Sequence, residues 1–316
     1  MYKNISCCII IPVYNEQLNI SSVISQIPTF IDEIIIVDDK SSDNTLTILN
    51  KLKENNSKLK IIERIDNGGS GAAKRDGYLY AKDTNHDIFI TIDGDGQMDL
   101  KEIEDLIAPI INKKADFSKA NRLLHGDVHK SMPRYRFWGN AVLTMLTKIA
   151  SGYWHVTDAQ TGFTACNKKV VNILPFEKLY TDYGYPNHLL VMLNIYNFRV
   201  IDIYSKPIYN VGEISNIRVR SVVFKISWLL LKSFLWRLKE KYIIRDFHPL
   251  VFFYLLGFIF SMSTIFLFVR LFYYWFYITG KIPPINALAA MFSFMSASIF
   301  ILFAMWFDME NNKDLK

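Results

Sequence analysis

The chain has 316 residues, enough for one large domain or two ordinary ones, and 51% of them are apolar. Its net charge of +6 lies between Arg218 and Asp246, where eight Lys or Arg face two acidic residues; basicity confined to one segment suggests an anionic membrane surface and argues against nucleic acid. Three cysteines, Cys7, Cys8 and Cys166, are too few and too scattered for a disulfide framework or a zinc site.

The chain opens "MYKNISCCIIIPVYNEQ". The apolar run is short, Pro12 interrupts it and no small-residue cleavage site follows, so no signal peptide is read and this region is expected in the cytoplasm. "CCIIIPV" is a buried strand, followed by a polar helix over about 17–26. "EIIIVD" is a second strand, with a helix from Ser41 or Ser42 to about Asn55. "LKIIER" leads into a helix over 70–82, and "DIFITID" into one over about 100–112. Short continuous apolar strands alternating with helices predict an α/β fold: a mostly parallel sheet with helices on both faces. Such sheets bind ligands at the carboxyl ends of their strands.

The polar residues gather at those ends: Asn15 and Glu16, Asp38 and Asp39, Asp66 and Asn67, Asp93 and Asp95. One such pair is an ordinary turn or helix cap. Four pairs on one edge mark a site. Asp93 and Asp95 sit one residue apart in "TIDGDGQMD", and two carboxylates held close share a proton or hold a cation. Magnesium bridges carboxylates to substrate phosphates in this way. There is no "GxxxxGK" phosphate loop.

Residues 116–210 read less regularly. Pro186 suits the first turn of a helix and "FRVIDI" a further strand. His188 and His248 lack a partner at metal spacing and read as structural. Farther on, Arg218, Lys225, Lys232 and Lys239 are spaced by sevens, one stripe on a helix that also carries Trp228 and Trp236. That describes an amphipathic helix lying in a membrane interface. No charge occurs from Pro249 to Val269 or from Ile282 to Phe307, and each run is long enough to span a bilayer. Basic residues before the first run, and Lys313 and Lys316 after the second, put both ends on the cytoplasmic side.

"IPVYNE", "VDDKSSDNT", "NGGSGAAKRDG" and "DGDGQ", in this order, resemble the inverting family 2 glycosyltransferases of GT-A (Rossmann-like) fold. The resemblance covers about residues 5–215. "DAQTGF" and the two C-terminal runs are similar to the polyprenyl-phosphate sugar synthases, the group of dolichol-phosphate mannose synthase. It implies transfer of one sugar from a nucleotide-sugar, UDP before GDP, to a polyprenyl phosphate, with Mg²⁺ or Mn²⁺ as cofactor. It makes Asp95 the main metal ligand, supported by Asp93 and Gln97. Pro12, Tyr14, Glu16, Asp39, Asn67, Lys74 and Asp93 would hold the nucleotide. Arg122 and Arg136 would meet the acceptor phosphate, with Arg134 a weaker candidate and Arg218 and Arg220 near the lipid headgroup. Asp158 would face the reaction centre, as a base or an orienting carboxylate.

The implied domains are a cytoplasmic catalytic domain over 1–215, an amphipathic juxtamembrane region over 216–247, spans near 249–271 and 285–307 within 248–308, and a tail over 309–316. The partners are the nucleotide-sugar, the lipid phosphate, the bilayer and possible further copies through the spans, in a multi-pass cell-membrane protein. Q-x-x-R-W, the mark of processive polysaccharide synthases, is missing. Two other readings stay open: a different lipid acceptor, such as a diacylglycerol or a lipid-linked oligosaccharide, and a non-catalytic nucleotide-binding membrane scaffold.

Overall fold

The computed structural model describes residues 2, 4–122, 134–206, 219–278 and 280–316, with side chains except in 134–140 and 219–222. The chain divides into two compact units: Met1–Phe234 with Leu315–Lys316, and Leu235–Asp314.

The first unit is built on a sheet of seven strands among the described residues: β1 Cys7–Val13, β2 Glu33–Asp38, β3 Leu59–Glu63, β4 Ile88–Thr91, β5 Phe117–Asn121, β6 Thr164–Asn167 and β7 Val200–Tyr204, in the order β3-β2-β1-β4-β6-β5-β7. Strands β3, β2, β1 and β4 are parallel, β6 runs antiparallel between β4 and β5, and β5 pairs β7 in parallel. The expected mostly parallel sheet is present, with one reversed strand. β1 is apolar throughout because it is central and covered on both faces, so no polar alternation survives.

The helices of this unit are α1 Ile20–Gln26, α2 Thr45–Asn55, α3 Ser70–Lys82, α4 Ile103–Ile111, α5 Arg134–Ser151, α6 Lys168–Ile173 and α7 Tyr185–Ile195. Ile9, Ile11, Ile34, Ile36 and Ile90 pack with Ile20 and Val23 of α1, Leu49 of α2, and Ile103 and Leu106 of α4. Each such buried side chain contributes roughly 1.5–3 kcal/mol. The opposite face takes α3, where a Cβ on Gly77 would run into Ile10 and Val37, so only glycine lets that helix lie flat on the sheet. Helices therefore cover both faces. The fourth expected helix begins later than the sequence suggested, because 100–102 form a 3-10 turn capped by Asp99. Pro186 sits in the first turn of α7, where its missing N–H costs nothing.

The next helix, α8 Val219–Lys239, crosses from the first unit into the second. Lys225, Lys232 and Lys239 are exposed on it beside exposed Phe224, Trp228, Leu231 and Leu235. Lys232 Nζ lies 5.3 Å from the centre of the Trp228 ring. Basic ends above an apolar and tryptophan surface are what an interfacial helix presents.

In the second unit α9 Leu250–Tyr273 continues in a π-type turn to Ile278 and packs along α10 Pro284–Asn311. Both are long and apolar enough to cross a membrane, at 29 and 28 residues. They meet through small residues: Gly257, Thr264, Ala290, Ser293, Ala297 and Ala304 are buried. A Cβ on Gly257 would stand 2.8 Å from Ile301. Outward lie Phe258, Met262, Phe266, Ile285, Phe292 and Leu302. An apolar surface of that extent suits lipid and not water.

Candidate active site

Six strands of the sheet point the same way, so their carboxyl ends share one edge. β6 runs backwards, so the loop that precedes it, 158–163, arrives at that edge as well. The topology thus brings Glu16, Asp39, Asp93, Asp95, Arg122 and Asp158 to one side.

The D-x-D turn leaves β4. Asp95 Oδ1 accepts the backbone N–H of Gln97 at 3.0 Å, which closes a tight turn through Gly96 at φ 76°, a left-handed conformation that glycine adopts without strain. Asp93 Oδ1 lies 2.8 Å from Lys74 Nζ. Lys74 is fully buried and also donates to the Gly162 carbonyl at 3.1 Å. Burial alone would lower the Lys74 pKa, but the Asp93 carboxylate outweighs it and the ammonium is held above the usual lysine range. One charge of the D-x-D pair is therefore balanced within the protein. Gly162 has no room for a side chain: a Cβ there would strike both Asp93 and the Lys74 ammonium.

Glu16 is a third carboxylate in this acidic group. Its pKa is raised first by burial and further by Asp95, Asp43 and Asp93, against a hydrogen bond from Asn19 at 3.2 Å. Among the described residues, three carboxylates gather at this end of the edge, and the buried Lys74 offsets the charge of one of them. Oxygen donors of this kind suit a hard divalent cation.

On the other side of β1, Asp39 is buried and receives the backbone N–H groups of Gly68 and Gly69 at 2.9 and 2.7 Å, with Arg64 paired to it. Asp39 thus folds the "NGGSG" loop from below. The loop runs close under the chain beyond it, where a Cβ on Gly71 would overlap the backbone of Tyr180 and Thr181. Asn67 and Tyr14 are exposed, and Pro12 is buried in β1.

The Arg122–Asp158 pair forms the far end. Arg122 Nε and Nη2 donate to the Asp158 carboxylate at 2.8 and 3.1 Å, and the Arg122 backbone N–H adds a bond at 3.1 Å. Asp158 is buried, whereas the Arg122 side chain is 41% exposed. Beneath them, buried Lys119 donates to the Asp158 carbonyl and lies 3.2 Å from Asp202. Asp202 also accepts from Asn121 at 2.6 Å and from the Thr157 N–H at 3.0 Å. Lys119, Asn121, Asp202 and Tyr185, whose ring centre lies 5.1 Å from Lys74 Nζ, escaped the sequence reading. A lysine inside "DFSKAN" carries no local signal of burial; only the pairing of β5 with β6 and β7 reveals it.

Arg136 and Arg134 start α5, and Arg220 lies in α8; their side chains, and all of Arg218, are outside the described residues. His188 is buried, accepts the Tyr180 N–H at 3.3 Å and is pushed down to about 4 by burial, so it is a neutral structural histidine. His248 accepts the Leu250 N–H at 3.2 Å and caps α9.

The family model described as glycosyl transferase family 2 matches residues 8–174. The chain belongs to that family. A relative from Methanococcus voltae is 32% identical over 71% of this chain and 94% of its own length, and is named UDP-N-acetylglucosamine–dolichyl-phosphate N-acetylglucosaminyltransferase. A dolichol-phosphate mannosyltransferase of Pyrococcus furiosus is 32% identical over 52% of this chain and 46% of its own. Among solved structures, glucosyl-3-phosphoglycerate synthase of Mycobacterium tuberculosis, with Mn²⁺ and UDP, superposes with a TM-score of 0.51 at 17% identity, over 74% of this chain and 80% of that one. The last likeness is one of fold, and with the family match it makes the sheet a GT-A sheet. The names of the relatives fall in the polyprenyl-phosphate sugar synthase group, as the motifs implied.

Proposed function

We propose that this family 2 enzyme transfers one sugar, with inversion, from a nucleotide-sugar to a polyprenyl phosphate at the cytoplasmic face of a membrane. The observation that carries the reading is the acidic D-x-D turn and the half-exposed, carboxylate-held Arg122 at one sheet edge, in a chain that continues into two membrane-length helices. A donor diphosphate needs a cation and an acceptor phosphate needs a fixed guanidinium, and this edge offers ligands for both. UDP is favoured over GDP because the Methanococcus voltae relative is named for a UDP-sugar.

The residues fit a divalent metal. Asp95 would be its main ligand, with Asp93 and Gln97 beside it, and Glu16 adds negative charge near by. When bound, Mg²⁺ or Mn²⁺ supplies charge neutralisation for the leaving diphosphate. Pro12, Tyr14, Asn67 and the loop held by Asp39 would line the nucleotide, and Lys74 would set the charge of Asp93.

A phosphate monoester has a second pKa of about 6 and is already nucleophilic at neutral pH. No strong base is then needed, and the task is positioning and neutralisation. Arg122 would meet the acceptor phosphate, with Arg134 and Arg136, and Arg218 and Arg220 would meet the headgroup region. Asp158 is assigned as the carboxylate that aims Arg122. Residues 1–215 would form the catalytic part, 216–247 the membrane-surface part, 248–308 the two-span anchor and 309–316 a cytoplasmic tail.

The test is a product assay. Detergent-purified protein is mixed with undecaprenyl phosphate, Mg²⁺ or Mn²⁺ and a panel of UDP- and GDP-sugars. Mass spectrometry should find the lipid heavier by one sugar, and Asp95→Ala and EDTA should each remove the product. Nucleotide release without a lipid adduct would discard the acceptor; no turnover with any donor would favour the scaffold reading.

A further inference from the structure

The sheet has a second edge, where β1, β2 and β4 begin. There the thiol of Cys8, the carboxylate of Glu33 and the imidazole of His86 converge, and one donor atom from each lies within 4.8 Å of the other two. The register explains the meeting. Cys8 is the partner of Glu33 across β1 and β2, and Cys7 is the partner of Ile88 across β1 and β4, two residues beyond His86. Cysteines too scattered along the chain to suggest a metal site are thus no guide to what the fold assembles.

His86 Nε2 and Glu33 Oε2 lie 2.8 Å apart. Hydrogen bonding accounts for only that nitrogen: Nδ1 is buried and has no partner among the described residues. A buried unpaired nitrogen costs about 1–3 kcal/mol in an ordinary ion pair. Cys8 is fully buried, whereas Glu33 and His86 are 16% and 17% exposed, so the cluster opens to solvent on the carboxylate and imidazole side.

We propose that Cys8, Glu33 and His86 bind one borderline-soft divalent ion, zinc first among them, at the edge of the sheet opposite the acidic D-x-D turn. The donor chemistry selects the ion: thiolate and imidazole favour zinc, whereas the oxygen-only edge favours magnesium or manganese. Three protein ligands leave a fourth position for water. Binding exchanges the Cys8 S–H for a sulfur–metal bond and releases one proton. The ion would join the starts of three strands, a structural role separate from sugar transfer.

The full chain, purified in detergent, is dialysed against Zn²⁺ and then metal-free buffer, and its metal content is measured. One zinc per chain is expected in the wild type and in Asp95→Ala. Cys8→Ser and His86→Gln should lose it, and Glu33→Gln should weaken it at least tenfold. Co²⁺ in place of Zn²⁺ should give a thiolate-to-cobalt absorption band that Cys8→Ser abolishes while circular dichroism shows the variant folded. Zinc absent from the wild type overturns the proposal. So does zinc kept by His86→Gln and lost by Asp95→Ala, or a Co²⁺ complex without the thiolate band.

Discussion

Arg122 and Asp158 grip each other through two guanidinium bonds, at 2.8 and 3.1 Å, and the buried member is the carboxylate. A carboxylate committed to an arginine is a poor proton acceptor. In the proposed reaction its part is then to hold the arginine. Residues acting as a unit lose their function together. Asp158→Asn and Arg122→Met should each lower kcat by roughly 10²-fold, the scale of losing one charge-stabilising donor, and the double variant should be little worse. The lipid-phosphate assay measures the cycle. Abolition of turnover by Asp158→Asn beside a mild Arg122→Met would make Asp158 a base and point to a hydroxyl acceptor.

The same pair has a pH signature. Burial raises the Asp158 pKa, but Arg122, with help from Lys119, outweighs burial and holds it below the ordinary carboxylate value. A lowered folded pKa gives stability that is complete above the unfolded value, about 3.9, and is lost as pH falls through the folded one. The stability gap between wild type and Asp158→Asn should stay flat from about pH 8 to 5 and narrow below about pH 4. Thermal melts in detergent at stepped pH follow the gap. Narrowing near neutrality would contradict the assignment.

Lys74 and Asp93 pose a different question, because the lysine is wholly buried and the aspartate is 33% exposed at the site. Lys74→Met removes the cation and leaves the acidic edge one unit more negative. Stability should fall by roughly 2–4 kcal/mol, the lower part of the range for a broken buried pair, since water reaches Asp93. Mn²⁺ binding to the nucleotide-free protein should tighten roughly 3- to 10-fold, about 1 kcal/mol of Coulomb energy at this exposure. Calorimetry tests both the sign and the size. Weaker Mn²⁺ binding would mean that Lys74 shapes the cation site and does not merely balance its charge.

The first four strands and α3 were legible because each strand is a short apolar run closed by Asp or Asn, and α3 opens on a glycine cluster that only a tight turn explains. β5 and β6 were not. "FSKAN" and "TACN" carry polar residues whose partners lie far along the chain, Lys119 on Asp202 and Asn167 on Asp116. The reversal of β6 depends on pairing Thr164 with Thr91, for which no local pattern exists. Sequence also singled out Asp93, Asp95, Arg122 and Asp158, which the strand directions bring to one edge. It did not reveal that Asp93 belongs to Lys74 and Asp158 to Arg122, since these pairs are 19 and 36 residues apart along the chain. Arg237 is the same lesson near the membrane: it counts toward the basic segment, yet it is fully buried against Asp308.

That last pair carries the strongest prediction for the second unit. Arg237 donates to Asp308 at 2.8 and 2.9 Å, with neither side chain exposed. Tyr242 donates to Asp308 at 2.6 Å, Asn312 donates to Tyr242 and Asp308 at 2.9 and 3.0 Å, and Lys241 donates to Asn312 at 2.7 Å. The end of α8 and the turn after it are thereby fastened to the end of α10. Asp308→Ala strands a buried guanidinium and should cost about 3–5 kcal/mol, whereas replacing both partners with apolar residues, Arg237→Met with Asp308→Leu, should recover most of the loss. Lys40 and Asp66, 3.3 Å apart but 58% and 86% exposed, form the control. Lys40→Ala should change stability by less than about 1 kcal/mol. The comparison is made by thermal unfolding in one detergent. Equal small shifts for Asp308→Ala and Lys40→Ala would show that the network does not fasten these helices; a large loss for Asp308→Ala that the double replacement fails to restore would show that the polar groups themselves are required.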